Sequence, residues 1–161
     1  MTGIASFSRV SPAQYAQDAA AWPDALPLAD IPLPCRATQG AAGYDFVCPT
    51  DFHLLPGETV LLPTGIRAWM EPGWVLMLFP RSSLGFKHRL MLCNTVGVVD
   101  SDYFHARNEG HILVKLTNAG DHPVDMTRGE RFCQGIFLPY GLTREDRADA
   151  ERTGGFGSTG A

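Results

Sequence analysis

The sequence is poor in the features that mark membrane, secreted and nucleic-acid-binding proteins. It has no apolar run near the roughly 20 residues that a membrane-spanning helix needs, and no basic segment followed by an apolar one at its start. Its 13 lysines and arginines are outnumbered by 17 acidic residues, which argues against general nucleic-acid binding. The four cysteines form no C-x-x-C pair, so we expect a cytoplasmic protein with buried, reduced thiols.

What the sequence does contain is typical of one globular domain. A chain of 161 residues with 45% hydrophobic residues has room for a single core. Ser11 and Pro12 are residue types that begin a helix, and the alanine-rich segment up to Ala21 favours its continuation. We therefore predict an N-terminal helix and extended lead-in over residues 1–34, a β core over residues 35–140 and a mobile C-terminal arm over residues 141–161.

Short apolar segments interrupted by turns fill the β core. The 17 glycines and 12 prolines favour many tight turns, and the helical crossovers that parallel strands need are not evident. The predicted class is therefore mainly β, a jelly-roll-like β-barrel or sandwich with a short N-terminal helix and a flexible C-terminal arm. The predicted strands are residues 44–47, 52–54, 59–62, 66–69, 75–79, 90–92, 98–99, 112–116 and 135–138.

Residues 92–103 are the first candidate for chemistry. Asn94 and Gly97 lie between two apolar segments, which predicts a hairpin whose exposed backbone groups read a planar ligand edge. Asp100 and Asp102 follow. Because residues two apart on a strand share a face, we expect both carboxylates to point the same way. Such a pair holds a metal, activates a water or is simply solvated at a strand end.

Residues 80–87 are the second candidate. Arg81, Ser82, Ser83 and Gly85 follow a strongly apolar segment, and two hydroxyl groups, a guanidinium group and a flexible glycine suit phosphate binding. The alternative is a plain polar turn. A Walker A loop is excluded, because G-x-x-x-x-G-K-[ST] does not occur here.

Residues 152–160 are a third candidate for binding an anion. Their G-x-G-x-x-G pattern does not follow a strand and open a helix, so it does not predict a dinucleotide site. The segment is either a disordered end or a flexible flap. In the flap, Phe156 stacks on a base while Arg152, Ser158 and Thr159 grip phosphates.

Other polar residues indicate no site by themselves. Taken alone, Asp45 is predicted to be a solvated turn residue. Gln134 either reaches a ligand or points outward. His105, Glu109 and His111 lie close together in sequence, but without the regular spacing and the cysteine partner of a zinc site.

Five segments of the chain, in order, resemble the five motifs of the homotrimeric dUTP diphosphatases (dUTPases). They are residues 42–46, 80–87, 94–103, 129–137 and 154–160; each is weak alone, whereas five in this order and spacing are specific. The resemblance covers residues 36–161. It implies a homotrimer of β jelly rolls that hydrolyses dUTP to dUMP and pyrophosphate with Mg²⁺ on the triphosphate. Each active site would draw on all three chains, with the C-terminal arm closing over another subunit's ligand.

The resemblance also implies a role for each matching residue. Asp100 would orient the attacking water, and Tyr103 would lie beneath the deoxyribose and leave no room for a 2′-hydroxyl. Asp45 would be associated indirectly with the metal-bound triphosphate. Uracil would be read by Asn94 and the backbone around Gly97 and Val99. Phosphates would be held by Arg81, Ser82, Ser83, Gly85 and Gln134, and the arm would supply Arg152, Phe156, Gly157, Ser158 and Thr159.

Two departures from the family pattern qualify these roles. The turn after Tyr103 is longer than usual by about five residues, over residues 104–109. Arg152 lies one residue nearer Phe156 than in the most familiar form of the motif. Two other functions fit the same fold. A dCTP deaminase would need a glutamate base where this chain has Lys115, and a nucleotide-responsive regulator would keep the binding residues but lose Asp100 or the arm.

Overall fold

The computed structural model describes residues 3–149 of the chain, and these residues form a mainly β structure. Short helices interrupt the strands at two places, and two 3-10 helices span Leu28–Asp30 and Ser101–His105. The elements are β1 (Ala5–Arg9), α1 (Pro12–Asp18), β2 (Cys35–Arg36), β3 (Tyr44–Val47), β4 (Phe52–Leu54), β5 (Thr59–Pro63), β6 (Ile66–Met70), β7 (Trp74–Pro80), α2 (Ser82–His88), β8 (Leu90–Leu92), β9 (Gly97–Val99), β10 (Leu113–Asn118), β11 (Val124–Met126) and β12 (Arg131–Pro139).

The strands pair into four antiparallel sheets. The largest has the order β2-β3-β12-β7-β9, a second has the order β5-β10-β8, and the pairs β1-β6 and β4-β11 complete the set for residues 3–149. Every pairing among them is antiparallel, as the sequence predicts. The predicted fold class, a jelly-roll-like sandwich, is therefore confirmed.

The inward faces of the sheets meet in one apolar core. Leu76 and Leu78 of β7 alternate with Val75 and Met77, and only the first pair is buried. Phe132 of β12 is also fully buried. Burying one such leucine or phenylalanine contributes about 1.5–3 kcal/mol, so the alternation decides which face of β7 points inward.

The N-terminal segment contributes to this core. β1 was not predicted, yet it pairs with β6 along its whole length. Tyr15 of α1 is buried, and its hydroxyl donates a hydrogen bond to the Leu26 carbonyl. Helix α1 begins as predicted, with Ser11 capping it and Pro12 in its first turn, but it ends at Asp18 and not at Ala21, because Ala19 leaves the helical conformation.

The expectation of buried thiols holds for two of the four cysteines and is wrong for the other two. Cys48 and Cys133 are buried, and burial raises the pKa of each to about 12, so both stay protonated. Cys35 and Cys93 are exposed, the first on the edge strand β2 and the second in the turn after β8. Within residues 3–149, no helix is both long enough and apolar enough to span a membrane.

A buried histidine joins helix α1 to the sheets. The His111 side chain has no exposed surface. Its Nε2 accepts a hydrogen bond from the backbone N–H of Gly65 at 2.8 Å, so its Nδ1 carries the ring proton and donates to Asp18 at 2.5 Å. Burial lowers the pKa of His111 more than the neighbouring carboxylates of Asp18 and Glu109 raise it.

We expect the protein to lose stability as the pH falls below 6.5, the ordinary pKa of histidine. The unfolded chain then takes up a proton that folded His111 resists, so the stabilisation is complete above this pH and is lost below it. The slope from one such group is at most about 1.4 kcal/mol per pH unit. Unfolding free energies measured between about pH 8 and pH 5 test this. His111→Gln keeps an acceptor for Gly65 and should flatten the slope; an unchanged slope contradicts the assignment.

Candidate active site

A cluster of charged and amide side chains lies on the outer face of the five-stranded sheet. Asp45 of β3 is opposite Gln134 of β12, which is opposite Phe79 of β7. Asp45 is only 8% exposed, and its carboxylate oxygens lie 3.4 Å from Nε of Arg81 and 3.0 Å from Nη1 of Arg131. The expectation that Asp45 is a solvated turn residue is therefore wrong. It is a strand residue that holds two guanidinium groups.

These ion pairs matter for orientation more than for stability. The Arg81 and Arg131 side chains are 35% and 49% exposed, so solvent screens each pair. Such pairs contribute about 0–1 kcal/mol each. Two guanidinium groups and one carboxylate leave one positive charge in excess, and both cations are fixed at one place on the sheet. The cluster is suited to an anion such as a phosphate.

Arg131 also belongs to this cluster, although it was not predicted to be a site residue. Residues 131 and 134 are an odd number apart, so regular alternation would place their side chains on opposite faces. The pairing of β12 with β3 shifts between Arg131 and Cys133, as in a β-bulge. The shift returns Arg131 to the face that Asp45 and Gln134 share. A bulge depends on both strands, which is why alternation along one strand did not reveal it.

Gly43 leaves room for the Gln134 side chain. A Cβ atom at Gly43 would come within 2.4 Å of Oε1 of Gln134. The amide of Gln134 also approaches the Pro80 carbonyl, with Nε2 at 3.5 Å. Gln134 thus lies partly buried between β3 and the end of β7, next to Arg81, and does not simply point outward.

Ser82, Ser83 and Gly85 lie in helix α2 and not in a flexible loop. The backbone N–H groups of Leu84 and Gly85 both bond to the Arg81 carbonyl, so the predicted turn is a regular helix start. A Cβ at Gly85 would meet nothing within 4 Å, so packing within this chain does not require glycine there. A cavity of about 450 Å³ adjoins the helix. Its polar lining includes Arg81, Ser83, His88 and Arg131 together with the acidic residues Asp125 and Glu130.

The turn between β8 and β9 opens a second, apolar cavity. β8 pairs with β10, whereas β9 pairs with β7, so the two strands do not form the predicted hairpin ladder. They diverge and leave a slot of about 450 Å³, within the size range of small-ligand sites. The slot is lined by Leu61, Leu78, Leu92, Cys93, Asn94, Gly97, Leu113, Val114 and Lys115.

The tip of this turn is strained. Thr95 has φ of 64°, in the left-handed region that a β-branched residue rarely adopts. Such a conformation costs about 1–3 kcal/mol and persists where the surroundings enforce it. Here the Thr95 N–H bonds to the Leu92 carbonyl at 3.0 Å, and the Val96 N–H bonds to the Asn94 carbonyl at 2.7 Å. The strain marks the turn as a functional candidate.

Asp100 and Asp102 line a third cavity at the far end of β9. The strand ends at Val99, and Asp100 precedes the 3-10 helix Ser101–His105, so the argument that both residues share a strand face is wrong. Both nevertheless border one cavity of about 490 Å³. Tyr140, which follows β12, lines it as well. The sequence did not indicate Tyr140, because only the pairing of distant strands brings it there.

Tyr103 is packed inside the chain. Only 2% of the residue is exposed, and its hydroxyl donates a hydrogen bond to the His111 carbonyl at 2.7 Å. The Asn108 side chain donates to the same hydroxyl at 2.7 Å. The position of the ring is therefore set by the loop that follows it.

The arginine cluster and Asp100 lie far apart within one chain. Asp45 is on β3 and Asp100 follows β9, three strand spacings away in the same sheet, or about 14 Å. Along the strands, Asp45 is level with Phe79, whereas Val99 is level with Leu76, so Asp100 lies four positions further, or about 13 Å. The separation is therefore about 20 Å. In this conformation, the two groups cannot contact one phosphate.

The remaining predicted site residues are in the C-terminal arm. Arg152, Phe156, Gly157, Ser158 and Thr159 lie outside the residues that the structure describes. Within residues 3–149, no group of three or more histidine, cysteine or acidic side chains is arranged to hold a metal ion. The fold and these cavities define a class: an antiparallel β protein with an apolar slot between diverging strands and, at a separate place, a polar cavity bordered by two arginines.

Known proteins narrow this class to a family. The family model for dUTPase matches residues 29–160. The deoxyuridine 5′-triphosphate nucleotidohydrolase of Lactococcus lactis subsp. lactis is 44% identical over 136 residues, which are 83% of this chain and 91% of that protein. Its counterpart in Shewanella halifaxensis is 40% identical over 139 residues, 81% of this chain and 88% of that protein. The chain belongs to the dUTPase family.

Solved structures agree with this assignment. The crystal structure of the dUTPase from Streptococcus mutans is 46% identical, with a TM-score of 0.63 over 69% of this chain and 88% of that one. A mutant dUTPase of phage phi11 of S. aureus, described with a structural Mg(II) ion, has a TM-score of 0.67 over 92% of this chain and 98% of that one. The phage protein is only 15% identical and so supports the fold alone.

Gly43→Ala tests whether the position of Gln134 matters for the ligand. The added methyl group would displace the end of a flexible side chain, so we expect little change in the unfolding free energy but weaker binding of a nucleoside triphosphate. Gly40→Ala is the matched control, because a Cβ there meets nothing within 4 Å. Thermal unfolding and calorimetric titration of both variants measure the two effects. Equal affinity for the two variants would exclude a binding role for Gln134.

Proposed function

We propose that this chain hydrolyses dUTP to dUMP and pyrophosphate, with Asp100 as the residue that activates water. The observation that carries the proposal is the course of β9. The strand begins at the apolar slot with Gly97 and ends two residues later at Val99, directly before Asp100. A nucleobase bound in the slot would therefore lie at one end of β9, and the Asp100 carboxylate would lie just past the other end. Family membership supplies the substrate, since the curated relatives are named as deoxyuridine triphosphate nucleotidohydrolases.

Uracil recognition rests on the turn at the mouth of the slot. Asn94 offers an amide, and the strained turn fixes the backbone groups between Asn94 and Gly97. A Cβ at Gly97 would lie 3.0 Å from the Leu78 side chain, so glycine keeps the start of β9 close to β7. The backbone around Gly97 and Val99 then presents donors and acceptors to the base. Cytosine would leave some of these groups unpaired, which is how a polar site rejects a close analogue.

The reaction itself is a displacement at the α-phosphorus. Asp100 accepts a proton from water, the water oxygen forms a bond to the α-phosphorus, and the bond to the bridging oxygen of the β-phosphate breaks. The electron pair of that bond leaves with pyrophosphate. Phosphate oxygens are held by the side chains of Arg81, Ser82, Ser83 and Gln134, and Gly85 leaves open space for the phosphates beside them. We assign the closing of the site to the arm, with Phe156 against the base and Arg152, Gly157, Ser158 and Thr159 near the phosphates.

Magnesium is proposed to arrive with the triphosphate. Both oxygens of Asp45 face arginine side chains, and a protein metal cluster is absent from the described part of the chain. The role of Asp45 toward the metal-bound triphosphate is therefore indirect, through Arg81 and Arg131. Bound Mg²⁺ would neutralise charge on the phosphate oxygens that an acidic protein cannot.

A homotrimer with shared sites is the assembly that we propose. Within one chain, Asp100 and the Asp45 cluster are about 20 Å apart. If a second copy of the chain supplies its arginines to the site that contains Asp100, this separation no longer prevents both from contacting one nucleotide. The outer face of the sheet also carries an apolar strip between the two places, in which Val98 and Leu138 are 49% and 42% exposed. The strip also includes Val75, Met77 and Ile136, which occupy the paired positions between Leu138 and Val98. Such a strip is suited to burial against another chain.

One assay separates this function from its alternatives. The full chain is incubated with dUTP and Mg²⁺, and dUMP and pyrophosphate are measured; dCTP is offered in parallel, with ammonia as the product to detect. Pyrophosphate from dUTP supports the proposal. Ammonia from dCTP would establish a deaminase, and binding of both nucleotides without turnover would establish a regulator.

Asp100→Asn should bind dUTP with nearly wild-type affinity but lose turnover. The substitution keeps the size of the side chain and removes its basicity, so the loss is about 10²- to 10⁴-fold in kcat, the range for a general base. Equilibrium titration with a non-hydrolysable analogue and steady-state assays measure the two quantities. The matched control is Asp102→Asn, which borders the same cavity and should retain far more activity. Normal hydrolysis by Asp100→Asn would disprove the assignment of the base.

Mixed trimers test the sharing of sites. Asp100→Asn and Arg81→Ala should each be inactive alone. If one site takes Asp100 from one copy and Arg81 from another, an equal mixture refolded together restores about a quarter of the sites. Mass spectrometry of the intact assemblies confirms that the subunits have mixed. Fully mixed trimers that stay inactive would show that both residues act within the same chain.

A further inference from the structure

Helix α1 and the long loop after Tyr103 contact each other at both ends of the helix. At its start, the backbone N–H of Ser11 donates to Oε2 of Glu109 at 2.7 Å, and the Ser11 hydroxyl donates to Oε1 at 2.6 Å. These two hydrogen bonds stabilise the ionised carboxylate and so lower the pKa of Glu109. At the other end, Asp18 accepts the hydrogen bond from His111. Residues 109 and 111 thus clamp a helix of seven residues.

The loop is held in a conformation that it would not adopt by itself. Glu109 has φ of 59°, in the left-handed region, and Gly110 follows with φ of 71°. A Cβ at Gly110 would lie 2.7 Å from both the Tyr103 carbonyl oxygen and the Phe104 Cα. The loop therefore folds tightly back on the segment that carries Tyr103, and the Ser11 bonds to Glu109 offset the cost of that conformation.

The same loop fixes the Tyr103 side chain. Asn108 donates a hydrogen bond to the Tyr103 hydroxyl, which itself donates to the His111 carbonyl, both at 2.7 Å. Arg67 of β6 anchors the next residue: Nη2 donates to the Phe104 carbonyl at 2.6 Å, and the guanidinium group lies 3.6 Å from the centre of the Phe104 ring. Tyr103 is thus held at its hydroxyl and at the following peptide.

We propose that helix α1 and loop 104–110 form one positioning unit for the nucleotide sugar, and that Asn108 is the positioning residue that acts through Tyr103. The proposal rests on the proposed function and on the role that the family resemblance implies for Tyr103, beneath the deoxyribose of dUTP. Asn108 touches no substrate. It fixes the position of the Tyr103 ring. The hydrogen bonds from Ser11, at the start of helix α1, to Glu109 in turn hold the neighbouring Asn108 in place.

Asn108→Ala removes the donor to Tyr103. It should raise KM for dUTP about fivefold and lower the preference for dUTP over UTP by a similar factor, because a neutral hydrogen bond of about 1 kcal/mol corresponds to that ratio. We expect kcat to change much less. Asn108→Asp keeps the size and the acceptor for the Gly110 N–H but replaces the donor with a carboxylate, which would draw the Tyr103 hydroxyl proton away from the His111 carbonyl, so it should also raise KM. Glu109→Ala should act in the same direction, and Ser11→Ala more weakly, because it keeps the backbone bond.

The control for mere loss of stability is Val124→Ala. Val124 is buried in β11, which pairs with β4 away from the loop, so its truncation destabilises the fold without touching Tyr103. If KM and the dUTP-over-UTP preference shift in Asn108→Ala but not in Val124→Ala at matched stability, a positioning role is supported. If the two variants behave alike, the unit is only structural and the proposal is overturned.

Hydrogen exchange gives a readout that does not need turnover. Glu109→Ala should speed exchange of backbone amides in residues 100–106 as well as in residues 11–18, whereas Val124→Ala should not. If the backbone amides of residues 100–106 exchange as slowly in Glu109→Ala as in the wild type, helix α1 and the loop are not coupled and the proposal is overturned. A wild-type chain that does not hydrolyse dUTP would refute the proposed function, and exchange would still decide whether helix and loop act as one unit.

Discussion

The pairing register of β7 with its two neighbours is the constraint on which the rest of the structure depends. Antiparallel hydrogen bonds tie β7 to β12 along seven positions and to β9 along three. This register directs Leu76 and Leu78 inward and leaves Val75 and Met77 on the outer face. A slip by one residue would exchange the two faces, so burial of the leucines fixes the register. The register in turn sets the distance between the arginine cluster and Asp100.

Much of the fold could be predicted because alternation and turn residues are local signals. All nine predicted strands exist, most with shifted ends. β1, β2 and β11 were missed: β2 and β11 have only two and three residues, and the sequence Ala5–Arg9 carries two serines and an arginine. Helix α2 was missed because Pro80 and Gly85 suggest a turn. Its Leu84 packs against the core, and that tertiary contact favours the helix over the intrinsic preference of glycine.

The site was predictable in composition but not in arrangement. Asn94, Asp100 and Arg81 stand out by residue type and order. Their placement on distant parts of one sheet depends on which strands pair, and the recruitment of Arg131 depends on a bulge between two strands. Tyr140 reaches the Asp100 cavity only because β12 lies beside β7. Such facts arise from long-range pairing, which no short segment of sequence encodes.

Asp45, an acidic residue that pairs with both arginines of the proposed phosphate site, is the least expected feature, and orientation explains it. The chain already carries a net charge of -4, and Asp45 removes part of the positive charge that would attract a triphosphate. Its ion pairs are screened and contribute little to stability. However, a guanidinium group binds phosphate well only when its planar fork is aimed at the oxygens, and a free arginine side chain must lose rotamer entropy to reach that state. In the proposed site, Asp45, held on a strand and nearly buried, would orient Arg81 and Arg131 before the ligand arrives, so less ordering would remain to oppose binding.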